Sequence, residues 1–152
     1  MPDAEIRLVG PGEGGLVAAL RRAWTEEQLD AAADDPTYEA RFAEWWAAES
    51  GRRLTWVASV AGTPVGMLNV TVFERMPRPG RPASRWGYLG NAFVLRGHRD
   101  RGVGADLLRA AVTHARAAGF ARMVLAPSER SVSFYSRAGF RPANDLLLLE
   151  LP

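Results

Sequence analysis

The run GYLGNAFVLRGHRDRGVGADLLRAAVTHARAAG, residues 87–119, passes from a strand pattern through a turn with glycines directly into a helix pattern. This constrains the fold more than any other stretch. Val103, Leu107, Leu108, Ala111, Val112 and Ala115 recur at helical spacing and form an apolar stripe that must be buried. A strand feeding such a helix packs it back onto its own sheet. The next strand, RMVLAP at 122–127, is therefore expected in parallel, after a right-handed crossover. Gly119 is the expected helix stop.

The rest of the chain can be arranged around that unit. EIRLV at 5–9 alternates like a short strand, and the spacing of Leu16, Leu20, Ala23 and Trp24 predicts a helix from Leu16 to about Ala33. A second helix is expected from Asp35 or Pro36 to Ser50, with Gly51 ending it. LTWVASV, AGTP and VGMLNVTVF read as strand, tight turn and strand, with Gly62 available for a positive φ. MPRPGRPASR at 76–85 holds three prolines and is expected to be a loop. Further on, Ser128 is the expected N-cap of a helix whose inner side carries Val132, Tyr135 and Ala138, and DLLLLELP at 145–152 is expected as the last strand. The order β-α-α-β-β-β-α-β-α-β describes an α/β (α+β) fold, a mixed, mainly antiparallel sheet flanked by helices, in a single domain over 1–152.

Composition narrows the function classes. At 47% hydrophobic and 24% charged residues, the chain has the balance of a soluble globular protein, and it contains no apolar run long enough to span a membrane. The N-terminus lacks a basic start followed by an apolar block, so a cytoplasmic location is expected. Cysteine is absent and there are two histidines, His98 and His114, which excludes disulfides and argues against a metal site. All 19 basic residues are arginine, but the net charge is only +2, so neither nucleic acid nor membrane is an expected partner.

The turn before the helix has its own chemistry. A helix N-terminus at the carboxyl end of a strand offers backbone N–H groups to an anion, and glycines let its oxygens approach. Arg99 and Arg101 add charge-assisted donors of the kind phosphate accepts. A P-loop is excluded, because Gly102 is followed by Val103 and Gly104 rather than Lys and Ser or Thr. The dinucleotide fingerprint is excluded too, because Leu107 stands where its third glycine belongs.

Arg99, Gly102 and Gly104 do fit Arg-x-x-Gly-x-Gly, which resembles the acetyl-coenzyme A loop of the GNAT (Gcn5-related N-acetyltransferase) family. SERSVSFYSRAGF at 128–140 resembles that family's Asn-x-x-Ala-x-x-x-Tyr-x-x-x-Gly-Phe helix, at the right distance downstream. The resemblance implies an N-acetyltransferase that moves an acetyl group from acetyl-CoA to a primary amine by direct attack in a ternary complex. It implies that the backbone of Ala92, Phe93 and Val94 pairs with the pantetheine arm, on a strand splayed from 122–126. It places pyrophosphate on the amides of Arg101, Gly102, Val103, Gly104 and Ala105, with Arg99 closing the turn. Tyr135 then corresponds to the proton donor to the leaving thiolate, and Ser128 replaces the usual asparagine. Acetyl-CoA is the implied co-substrate, without a metal.

The general base and the acceptor stay open. Tyr88 stands where the family often has an acid, so proton removal is expected either through water to Glu74 or another acid, or not at all if the amine binds neutral. Without that acid, a non-catalytic acyl-CoA-binding module is the rival reading. The acceptor is a small-molecule or peptide amine, and a homodimer is left open. Acids on the first two helices (Glu26, Glu27, Asp30, Asp34, Asp35, Glu39, Glu44) suggest either a cationic acceptor or solvated faces balanced by Arg21, Arg22 and Arg41. Of the adjacent Trp45 and Trp46, one is expected to face the core and the other outward. The arginines of 76–85 suggest either a binding loop or a lid or hairpin connection.

Overall fold

The computed structural model describes residues 3–152. One five-stranded sheet has the order β1-β2-β3-β4-β5, with β1 at Glu5–Leu8, β2 at Arg53–Val60, β3 at Thr63–Glu74, β4 at Arg85–Val94 and β5 at Met123–Val124. β1 to β4 pair antiparallel, and β4 pairs with β5 in parallel across the expected helical crossover. The helices are α1 (Gly14–Leu29), α2 (Tyr38–Glu49), α3 (Val103–Ala117) and α4 (Val132–Arg137). This is the mixed, mainly antiparallel sheet flanked by helices that the sequence pattern predicts.

Strand alternation decides what each face of the sheet buries. Trp56 and Ala58 of β2, Leu68 and Val70 of β3 and Leu89 of β4 cluster with Val103, Leu107, Leu108 and Ala111 of α3. Their neighbours Val57, Met67 and Phe93 cluster instead with Val17 and Leu20 of α1 and Trp46 of α2. Successive side chains point to opposite faces, so a sheet covered on both sides needs the continuous apolar runs seen in β2 and β3. Of the two tryptophans, Trp46 is the core residue, its Nε1 donating to the Pro11 carbonyl at 2.7 Å, and Trp45 lies at the rim.

Local chemistry moves several boundaries. α1 stops at Leu29 rather than Ala33 because Asp30 adopts a left-handed conformation, φ 52°. α2 starts at Tyr38, later than Pro36, because the Thr37 N–H and hydroxyl both donate to Asp35 Oδ1 and hold the preceding residues in a turn. Between β2 and β3, Ala61 and Gly62 both have positive φ, 49° and 80°, which matches the twist of the flanking strands.

Three expectations for the C-terminal third are corrected. The strand expected over 122–127 is only Met123–Val124, because β4 pairs with it at Gly87 and Tyr88 and nowhere beyond. Residues 145–152 form no strand; the short edge strand β5 gives them no ladder, and Leu147, Leu148, Leu149 and Leu151 are exposed. Ser128 does not cap an α-helix: a 3-10 turn at Glu129–Ser131 intervenes, and its hydroxyl donates to Ser131 Oγ at 3.0 Å instead of accepting from a backbone N–H.

Candidate active site

A bulge in β4 creates the site. Met67 faces Phe93 and Asn69 faces Gly90, so Leu68 alone stands opposite both Asn91 and Ala92. Asn91 absorbs the extra residue with φ 52°. A bulge bends its strand and increases the local twist. β4 then runs on to Val94 after its pairing with β5 has ended at Tyr88, leaving one side of Ala92, Phe93 and Val94 without a partner strand. The gap opens into a cleft of about 490 Å³. Ala92, Phe93 and Val94 form one wall, Arg99, Gly102, Val103, Gly104 and Ala105 a second, and Tyr135 closes the third.

The second wall is the start of α3. Gly102 occupies the N-cap with φ 82°, and no side chain caps the helix. The first intrahelical bond is Asp106 N–H to the Gly102 carbonyl at 3.0 Å, so the amides before Asp106 have no partner within the helix. The residues that carry them, Gly102 to Ala105, line the cleft. A Cβ at Gly104 would already meet the Phe134 ring at 3.7 Å. Amides without a partner in the helix fit a phosphate group, and the glycines keep the approach open.

The arginines divide differently from the expectation. Arg99 does close the turn: its Nε donates to the Val94 carbonyl at 2.8 Å and its Nη2 to Glu27 Oε1, so the guanidinium is committed to the scaffold rather than aimed at an anion. Glu27 Oε2 also accepts the Arg96 N–H at 2.8 Å, tying α1 to the turn. That acid had no distinguishing signal, being one of several on its helix. Arg101 is exposed and does not line the cleft, and Ser128 does not line it either, although its hydroxyl donates to Ser131, which does. Arg130 and Arg137 do, and the sequence reading passed over both although they stand in SERSVSFYSRAGF.

Tyr135 is 9% exposed and packs edge-on against Phe134 and Phe140, with ring centroids 5.0 and 5.7 Å away. Burial pushes its phenol above the ordinary value, which keeps the proton on the oxygen and the group a donor. Glu74 is not in position to act as a base. It lies opposite Arg85, which it faces at 3.6 Å, and the extended run from Arg85 to Ala92 covers about 23 Å.

On the other face of β4, α1 and α2 enclose a hollow of about 330 Å³, lined by Arg21, Tyr38 and Trp45 from the helices and by Asn69 and Asn91 from the strands. Met67 lines both spaces, and Asn91 of the hollow directly precedes Ala92 of the cleft. The helix acids are mostly paired: Glu26 and Glu39 with Arg22, Asp35 with Arg41, Glu27 with Arg99. Arg22 and Arg41 thus balance three of those acids and Arg99 a fourth, while Arg21 pairs with none of the described ones. The arginine loop is the β3–β4 hairpin connection, closed by the Arg75 N–H to the Ser84 carbonyl at 2.9 Å, at the far end of β4 from the cleft. Among the described residues no cluster of three or more His, Asp or Glu side chains could hold a metal, and no helix is long and apolar enough to cross a membrane.

The sequence model of the Acetyltransferase (GNAT) family matches residues 17–140. No curated protein matches the chain. Among solved structures, the GCN5-related N-acetyltransferase from Ralstonia eutropha is 27% identical, with a TM-score of 0.71 over 97% of this chain and 99% of that one. A predicted acetyltransferase from Clostridium acetobutylicum, solved with acetyl-CoA, is 15% identical with a TM-score of 0.74 over 97% and 96%. An aminoglycoside acetyltransferase from an uncultured soil metagenomic sample is 20% identical with a TM-score of 0.76 over 99% and 98%; at such identities the last two are similar in fold.

Proposed function

Because the chain belongs to the GNAT family of acetyltransferases, whose co-substrate is acetyl-CoA, we propose that it transfers the acetyl group to a primary amine by direct attack, with both substrates bound at once. The observation that carries this reading is the meeting of two spaces at one bulge. The cleft reaches Ala92 from one face of the sheet, and the hollow reaches Asn91 from the other.

Acetyl-CoA supplies the acyl group as a thioester. In this reading the unpaired backbone of Ala92, Phe93 and Val94 aligns the pantetheine arm, the amides from Gly102 to Ala105 hold the pyrophosphate, and Arg130 and Arg137 add charge beside it. The amine forms the new C–N bond as the C–S bond breaks, and the Tyr135 hydroxyl protonates the departing thiolate. Arg99 and Glu27 act on the turn rather than on the ligand. With Glu74 remote and Tyr88 at the family's acid position, the amine loses its ammonium proton to water or enters neutral, and the further N–H proton shed as the amide forms passes through water to the Tyr135 oxygen, restoring the phenol.

Thiol release from acetyl-CoA over a panel of small-molecule and peptide amines tests the proposal. Tyr135→Phe is expected to lower kcat by about 10²-fold or more, the usual scale of acid catalysis, while CoA affinity measured by calorimetry stays near that of the parent. Equal rates would reduce Tyr135 to packing. CoA binding without turnover on any amine would instead make the chain a non-catalytic binding module.

A further inference from the structure

We propose that the hollow between α1, α2 and the sheet holds its acceptor by a carboxylate placed on Arg21, so that the acceptors are small amines of amino-acid type. This deepens the function proposed above and rests on it. The starting observation is an unpaired cation. Arg21 Nη1 is buried and meets no hydrogen-bond partner among the described residues. Its neighbours are in a different position: Arg22 pairs with Glu39, Arg41 with Asp35 and Arg53 with Glu49. Arg21 has only the face of Trp24, 4.3 Å from the ring centroid. Arg21 is only half-buried as a residue, but a buried guanidinium N–H without an acceptor is costly, and the cation–π contact offsets part of that cost. An anionic ligand group would supply the rest.

The surroundings specify what carries the anion. No carboxylate lines the hollow, and Arg41, which also lines it, is already paired with Asp35, so the uncompensated charge there is that of Arg21 and favours an anion. Tyr38, Phe42 and Trp45 give it an apolar wall, and the Tyr38 hydroxyl is already used, donating to the Ala18 carbonyl at 2.9 Å. Asn69 donates to Thr55 Oγ1 at 2.7 Å, which leaves Arg21 as the buried donor in need of a partner. At about 330 Å³ the space suits a molecule the size of one amino acid. Its carboxylate on Arg21 and its amine toward Asn91 would place the nucleophile at the bulge shared with the cleft.

The test pairs L-amino acids with their α-carboxamides. Each is titrated into CoA-saturated protein by calorimetry and assayed for acetyl transfer. In the parent protein the acids are expected to bind and react about ten- to hundredfold better than the amides, the scale of a hydrogen bond to a charged group. Arg21→Gln should abolish that ratio and Arg21→Lys should restore part of it, with unchanged CoA affinity reporting an intact fold. Equal use of acids and amides by the parent, or an undiminished ratio in Arg21→Gln, overturns the inference while the acetyltransferase reading stands. Carboxylate-selective, Arg21-dependent binding without acetyl transfer supports the anion site and overturns the transfer reading.

Discussion

Gly104 and Gly102 sit two residues apart, yet each is needed for a different reason. Gly102 has φ 82°, a region that L side chains rarely adopt, and a Cβ there would meet nothing within 4 Å. Its requirement is conformational. Gly104 is helical, and a side chain there would project toward Phe134 and Val94 at ordinary contact distances. Its requirement is space over the amides. Gly104→Val should therefore keep the fold and lose CoA binding by at least about a hundredfold, since blocking several charge-assisted bonds forfeits roughly 3 kcal/mol or more. Circular dichroism together with calorimetry checks both halves. Unchanged affinity would remove the phosphate from this turn.

Between elements, the informative contact is the one from α1 to the turn. Glu27 accepts from the Arg96 N–H and from Arg99, and Arg99 in turn holds the Val94 carbonyl, so one carboxylate couples the helix, the turn and the end of β4. Its side chain is 15% exposed, where a charge-assisted bond keeps much of its strength. Glu27→Gln keeps the shape and removes the charge. It is expected to weaken CoA binding about three- to tenfold and raise the apparent KM for acetyl-CoA, leaving kcat nearly unchanged, because Glu27 positions the loop and touches neither reactant. A fall in kcat at constant KM would instead give Glu27 a part in the chemistry.

At the scale of the molecule, β4 separates two compartments. One face and the gap beyond Tyr88 open toward α3 and α4, and the other face opens toward α1 and α2. The arginine loop lies at the opposite end of this strand, and its arginines, Arg78 and Arg81, are exposed. Replacing both with serine should leave CoA affinity and acetyl transfer within about twofold of the parent, as expected for surface substitutions. Retention of the parent on DNA at low ionic strength, lost in the double variant, would make the loop a nucleic-acid contact.

What the sequence by itself determined are the features written in local periodicity and backbone permission. The helical stripe from Val103 to Ala115, the continuous apolar runs of β2 and β3 and the Ala61-Gly62 turn each follow from nearest-neighbour spacing or from a positive φ. The Arg99-Gly102-Gly104 turn was legible for the same reason, since its glycines are needed wherever the chain lies. Tertiary structure alone decided how the pieces meet. The bulge at Asn91, the early parting of β4 from β5 and the unpaired residues 145–152 depend on strand pairing between distant segments. The functions of individual charges depend on it too. Glu27 and Arg99, 72 residues apart, are partners only because α1 packs beside the turn. Arg21 and Arg22 are neighbours in sequence, but their side chains leave α1 in different directions, one into the hollow and the other to the acids of its surface. Charge in a sequence has sign but no direction; packing supplies the direction, and with it the partner.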